Sequence, residues 1–157
     1  MLIIHQQLVD AIVRQARTDH PMETCGVVAG PAGSGVPTRL IVMDNAAKSE
    51  SHFQFNPHQQ LKAWREMERN GEEPAVIYHS HTNSNAYPSR TDIQYASEPN
   101  AHYLIVSTDS RHTPSLRSFR ICNGRSVEER VKVVSAYRDD AFNRLIDAGT
   151  PTAVASV

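Results

Sequence analysis

"AVIYHSHTNSNAYPSRTD", residues 75–92, decides both the fold and the chemistry of this chain. Its first four residues are an unbroken apolar run and read as a buried strand. The run leads directly into His79 and His81. In extended backbone alternate side chains share a face, so both imidazoles can point to one spot. A loop then reaches Pro88, and Ser89-x-x-Asp92 reads as the capped start of a helix over about 89–97, stopped by Glu98-Pro99.

Outward from this stretch, elements alternate. Upstream, Asn56 can cap a helix, Pro57 fits its first position, and Gln59 can reach back as in a capping box. Leu61, Trp64 and Met67 line one face of it, and Asn70-Gly71 ends it. Before that helix, "CGVVAG" (25–30) and "TRLIVMDN" (38–45) read as a strand hairpin around the turn "PAGSGVP", with "HFQF" (52–55) as a further short strand. Residues 6–18 carry apolar side chains at helical spacing until His20-Pro21 breaks the pattern. Downstream, 102–107, 116–121 and 127–134 read as strands and 136–147 as a terminal helix, with a frayed tail. The expectation is an α/β (α+β) fold: one domain over 1–135, and a C-terminal helix and tail over 136–157.

The bulk composition excludes more than it assigns. The chain has 157 residues, enough for one domain with a real core. Sixteen Lys+Arg stand against 17 Asp+Glu, so no basic stripe calls for nucleic acid or anionic lipid. The N-terminal MLIIHQQLVDAIV is too interrupted for a signal peptide or a membrane span. Cys25 and Cys122 read as free thiols, which places the chain in a reducing cytoplasm.

Two imidazoles and one carboxylate form a normal catalytic zinc set with the fourth position open to water. Taken singly the parts are ordinary. A His-x-His pair is common, and Ser89-x-x-Asp92 is a capping box before it is chemistry. Their conjunction at a strand exit points to a metal bound by His79, His81 and Asp92. A metal-bound water needs a base, and Glu23 in "HPMETCG" is the best placed, although a solvated turn carboxylate has the same spacing. Cys25 reads as a small buried hydrophobe, "AGPAGSG" as a hairpin turn, and His52, His58, His102 and His112 as structural or surface groups. Tyr87 and Trp64 can touch substrate or pack, and Trp64 reads as packing.

"His79-Ser80-His81", seven residues, then "Ser89-Arg90-Thr91-Asp92", with a glutamate upstream at 23, resembles the signature of the JAMM (MPN+) metalloproteases. The likeness covers roughly residues 2–135. It implies a cytidine-deaminase-like core, a curved mixed sheet flanked by helices, and one zinc ion per chain. It implies that His79, His81 and Asp92 bind the metal. Glu23 would move the proton from water to the leaving amine, and Ser89 would donate to the oxyanion. One departure stands out: many relatives have proline after the second histidine, where this chain has Thr82.

The wider text "VIYHSHT…AYPSRTD…EPNAHYLIVST" is most similar to a bacterial subgroup, the CysO-cysteine peptidases. That resemblance implies a peptidase that frees cysteine, or a short extension, from the C-terminal tail of a ubiquitin-like sulfur-carrier protein. Two alternatives stay open: a broader isopeptidase acting on lysine, and a non-catalytic scaffold of the same fold. The RadC proteins have similar ligand spacing, but this chain lacks their extra N-terminal segment. Monomer and homodimer are both compatible with the sequence, and iron or manganese could replace zinc.

Overall fold

The computed structural model describes residues 1–137 and the backbone of 152–156. Twelve elements follow in chain order: β1 (Leu2–His5), α1 (Gln6–Asp19), β2 (Cys25–Pro31), β3 (Arg39–Met43), α2 (Pro57–Asn70), β4 (Glu72–His81), α3 (Arg90–Tyr95), β5 (His102–Ser107), β6 (Leu116–Cys122), β7 (Arg125–Glu129), β8 (Val131–Val134) and β9 (Thr152–Ser156). The main sheet has the order β7-β6-β5-β4-β2-β3-β9 and is mixed. β4 and β5 run parallel, β2 is antiparallel to both β3 and β4, and β3 runs parallel to β9. β1 and β8 form a separate parallel pair. No helix among the described residues is long and apolar enough to cross a membrane.

The period of two along β4 explains how one strand serves both a core and a site. Val76 and Tyr78 join Leu8, Ile12 and Ala16 of α1 in one core cluster. Ile77 and His79 face the other way, toward the layer built by α2, Phe53 and Phe55. Central strands buried on both faces read as continuous apolar runs, as β4 and β5 do. At one point the packing tolerates no side chain: a Cβ on Gly26 would run into Tyr78 Oη and stand 2.6 Å from Ile41 O.

Several expectations are corrected. Asn56 caps α2 through His58 N and Gln59 N, but the Gln59 side chain turns away to Asp44, with Nε2 donating to Oδ2 at 2.9 Å and Oε1 accepting from Asp44 N at 2.8 Å. Leu61 is 51% exposed, and the buried stripe of α2 runs through Ala63 and Met67 instead. "HFQF" contributes only an isolated bridge from Phe55 to Asn45. The expected helix at 89–97 is six residues long, Arg90–Tyr95. The run 127–134 splits between β7 in the main sheet and β8 beside β1. The tail, read as frayed, includes β9. Residues 136 and 137 are not helical, and the remainder of the expected helix, 138–147, lies outside the described residues. Tyr137 docks on the domain, its hydroxyl donating to Pro37 O at 2.5 Å and accepting from His5 N at 3.0 Å.

Candidate metal centre and its surroundings

β4 ends at His81, so both histidines are held by strand pairing. β2 lies on one side, where Cys25 pairs with His79, and β5 on the other, where Ser107 pairs with His81. The loop that follows is fixed at each step. Asn83 Oδ1 accepts from Arg111 Nη2 at 2.7 Å, Ser84 O accepts from Ser107 Oγ at 2.6 Å, and Tyr87 bonds Glu128 and Arg117. The loop therefore delivers Ser89 and Asp92 to a defined place. There a capping box forms: Ser89 Oγ accepts from Asp92 N at 3.1 Å, and Asp92 Oδ2 accepts from Ser89 N at 2.7 Å.

Three ligand atoms converge. His79 Nε2 and His81 Nε2 stand 3.1 Å apart, and Asp92 Oδ2 lies 3.4 Å from the first and 3.3 Å from the second. These three residues are the group among the described residues that could hold a metal ion. His81 Nδ1 sits 2.8 Å from the Asn85 carbonyl, which can only accept. The proton is therefore on Nδ1, and the Nε2 lone pair faces the other ligands. His79 is stacked under Phe53 at 4.6 Å, and its buried Nδ1 has no hydrogen-bond partner among the described residues.

The electrostatics follow from burial and partners. Burial holds the His79 imidazole below its usual range and so favours the neutral, ligating form. Burial also opposes charge on His81, but Asp92, Asn85 and the Glu23 charge outweigh it and raise its pKa. Burial opposes ionisation of Asp92 too. The two histidines beside it outweigh that and hold its carboxyl well below the carboxylate range.

Glu23 reaches the site from the segment just before β2. The register that pairs Cys25 with His79 continues upstream: Ser80 N donates to Thr24 O, and Thr24 N donates to Ser80 Oγ at 2.8 Å. This carries Glu23 to the position across from His81. The carboxyl is 4% exposed, Oε2 has no hydrogen-bond partner, and burial pushes its pKa up to about 7. All five expected residues are thus brought into one neighbourhood. Cys25 is buried beside them, with burial pushing its thiol far above the range of a nucleophile, so it packs.

Sequence reasoning missed Phe53, His52 and Asn45 and read Trp64 as packing. Phe53 covers His79, and Trp64 and His52 line a cavity that opens against His79 and Asp92. Asn45 organises the loop between β3 and α2. Its Nδ2 donates to Glu23 O and to His52 O, each at 3.0 Å, and its Oδ1 accepts from Ala47 N and Gln54 N. One side chain therefore ties the Glu23 backbone to the segment that carries Phe53. A lone Asn at a strand exit signals a turn, and nothing in the spacing marks this wider role.

Residues 5–122 match the family described as prokaryotic homologues of the JAB domain. The chain is 53% identical over 137 residues to the CysO-cysteine peptidase of Mycobacterium tuberculosis, covering 87% of this chain and 94% of that one. It is 35% identical over 109 residues to a desampylase of Haloferax volcanii, covering 66% and 78%. Among solved structures, a Desulfitobacterium hafniense protein of 28% identity superposes with a TM-score of 0.75 over 88% of this chain and 96% of the other. A JAB1/MPN domain protein from Archaeoglobus fulgidus, 21% identical, shares the fold at a TM-score of 0.56 over 85% and 99%.

Proposed function

The chain belongs to the prokaryotic JAB-domain family, and from that premise we propose that it is a zinc peptidase acting on the C-terminus of a small sulfur-carrier protein. The observation that carries the reading is the triangle of His79 Nε2, His81 Nε2 and Asp92 Oδ2, with sides of 3.1–3.4 Å. Ligands held about 2.0–2.1 Å from a tetrahedral zinc stand about 3.3 Å apart, so these residues fit the ion without rearrangement. Two nitrogens and one oxygen with an open fourth position also suit zinc over harder cations.

Bound there, zinc would polarise the scissile carbonyl and make a water reactive near neutral pH. The chain's own residues do the rest. Glu23, buried with a free oxygen, takes the proton of the attacking water. The hydroxyl adds to the carbonyl carbon, the C–N bond breaks, and Glu23 returns the proton to the leaving amine. Ser89 uses its oxygen as an acceptor in the cap, so its O–H keeps a hydrogen to donate to the carbonyl oxygen as that gains charge. Asp92 stays ionised and completes the ligand set.

The substrate follows from the relative 53% identical, whose name is CysO-cysteine peptidase. By that likeness the leaving amine is the α-amine of cysteine, and the product is a carrier with a free carboxylate. The two free thiols suit a cytoplasmic setting, where such pairs stay reduced. The desampylase relative supports a second reading, removal of a ubiquitin-like protein from a lysine ε-amine. Purified enzyme given the carrier joined to cysteine, and separately joined to lysine through its ε-amine, distinguishes them. The first reading expects faster release of cysteine, abolished by a chelator and restored by zinc. Preferred lysine release would support the second, and turnover untouched by chelation would overturn both.

A further inference from the structure

A cavity of about 470 Å³ opens beside the metal ligands. Its walls include Phe55, Trp64, Tyr95 and Tyr103, and its acidic groups are Asp92 and Glu98. Among the described residues no lysine or arginine lines it. Asp92 is answered by the two histidines at the metal position. Glu98 is held in place by the walls themselves. Its Oε1 accepts from Trp64 Nε1 at 3.2 Å, and its backbone N donates to Tyr103 Oη at 2.9 Å. It has no cationic partner among the described residues. A carboxylate set among aromatic rings without a cation is the arrangement that recognises a positive charge on an apolar stem.

The position of the cavity says which part of a substrate enters it. His79, Thr91 and Asp92 line it, whereas His81 and Glu23 do not. In the reaction above Glu23 hands a proton to the leaving amine, so the amine lies on the Glu23 side. The acyl half of the substrate then extends the other way, into the cavity. Cysteine, the leaving residue, is on the wrong side and too small. The volume falls within the range of ligand pockets, about 300–1,000 Å³, and holds a long side chain together with the backbone that carries it.

We propose that this cavity is the specificity pocket for the carrier's tail and that it takes a lysine or arginine side chain a few residues before the scissile bond, charge on Glu98 and stem against the aromatic walls. The inference rests on the peptidase reading for the identity of the tail. Its test is kept independent of cleavage.

Trp64 is the sole tryptophan of the chain and sits in the cavity wall, so its emission reports occupancy. Peptides ending at the acyl carboxylate, with nothing left to cleave, are titrated into the metal-loaded protein. At each of several upstream positions they carry lysine, arginine, norleucine or glutamate. At one position lysine and arginine should bind about tenfold or more tighter than norleucine, and glutamate should not bind. Glu98→Gln keeps an acceptor for Trp64 Nε1 and lacks the charge, and its melting curve checks that it is folded. In that variant the lysine advantage should shrink to about twofold or less. Norleucine binding as well as lysine, a lysine preference that survives Glu98→Gln, or emission unmoved by every peptide would each overturn the assignment. An enzyme that binds the lysine peptides yet cleaves no carrier adduct would overturn the peptidase reading alone.

Discussion

Glu23 is a carboxyl group that the fold buries without a partner for Oε2, and burying such a group costs stability. Its pKa is raised from 4.5 to about 7 by burial. In metal-free protein the sign follows. The folded state holds this proton more tightly than the unfolded chain, so the group's contribution to stability is full below pH 4.5 and is lost as pH rises through about 7. Glu23→Gln should flatten that loss, giving a metal-free variant with a higher Tm than wild type at pH 8 and a smaller difference at pH 5. The same variant, metal-loaded, should lose on the order of 10²-fold or more in turnover while retaining its zinc. Lost zinc with lost turnover would make Glu23 a ligand instead.

Ser89 and Asn45 separate in a different way. Ser89→Ala removes the cap and the proposed oxyanion donor together. It should cost about 0.5–2 kcal/mol of stability and, beyond that, a clear drop in single-turnover rate at saturating substrate. An equal loss of Tm with full turnover would leave Ser89 only its cap. Asn45→Asp keeps shape but sets an acceptor against the carbonyls of Glu23 and His52. Asn45 is half-buried, so the loss is bounded by the about 1–3 kcal/mol of a fully buried group left without its partner; Tm should fall, and turnover should fall with it because Glu23 and Phe53 share that anchor.

At the scale of elements, strand pairing makes a sharp prediction at Gly26. Its Cβ position is already occupied by Tyr78 Oη, and Tyr78 donates onward to Gln15 of α1 at 2.6 Å. Gly26→Ala should therefore destabilise by about 1–3 kcal/mol, as overpacking does, read as a lower midpoint in urea. The elements that sequence made legible were those whose pattern is local. The α1 stripe, the β2–β3 hairpin, the Asn56 cap and the Ser89 capping box all follow from neighbours within a few residues. What was not legible depends on partners far along the chain. β1 takes its register from β8, about 130 residues away, and MLII carries no turn or cap to announce it. Gln59 left its capping box because Asp44, from β3's exit, offered both a donor and an acceptor. The positions of His79, His81 and Asp92 could be read because each is fixed by a strand end or a cap, whereas Glu23 was singled out by the family resemblance and not by its spacing. Asn45 and Phe53 could not, because their loop acquires meaning only where it crosses β4.

At the scale of the whole molecule, a metal ion held by His79, His81 and Asp92 would couple folding to binding. His79, His81 and Asp92 arrive from β4 and from α3, so a bound ion clips the sheet to the short helix. Zinc should raise Tm in proportion to the logarithm of its free concentration, and the rise should fade in acid as the imidazoles gain protons. An unchanged Tm at any zinc concentration would argue against an ion at this position. The most direct test of the central claim is the intact mass of the sulfur-carrier–cysteine adduct after incubation with zinc-loaded enzyme, with Glu23→Gln and chelated enzyme alongside. The wild type should return the carrier lighter by one cysteine residue, with a free C-terminal carboxylate, and both controls should leave the adduct whole. An adduct left intact by zinc-loaded wild type, or trimmed equally by all three, would contradict it.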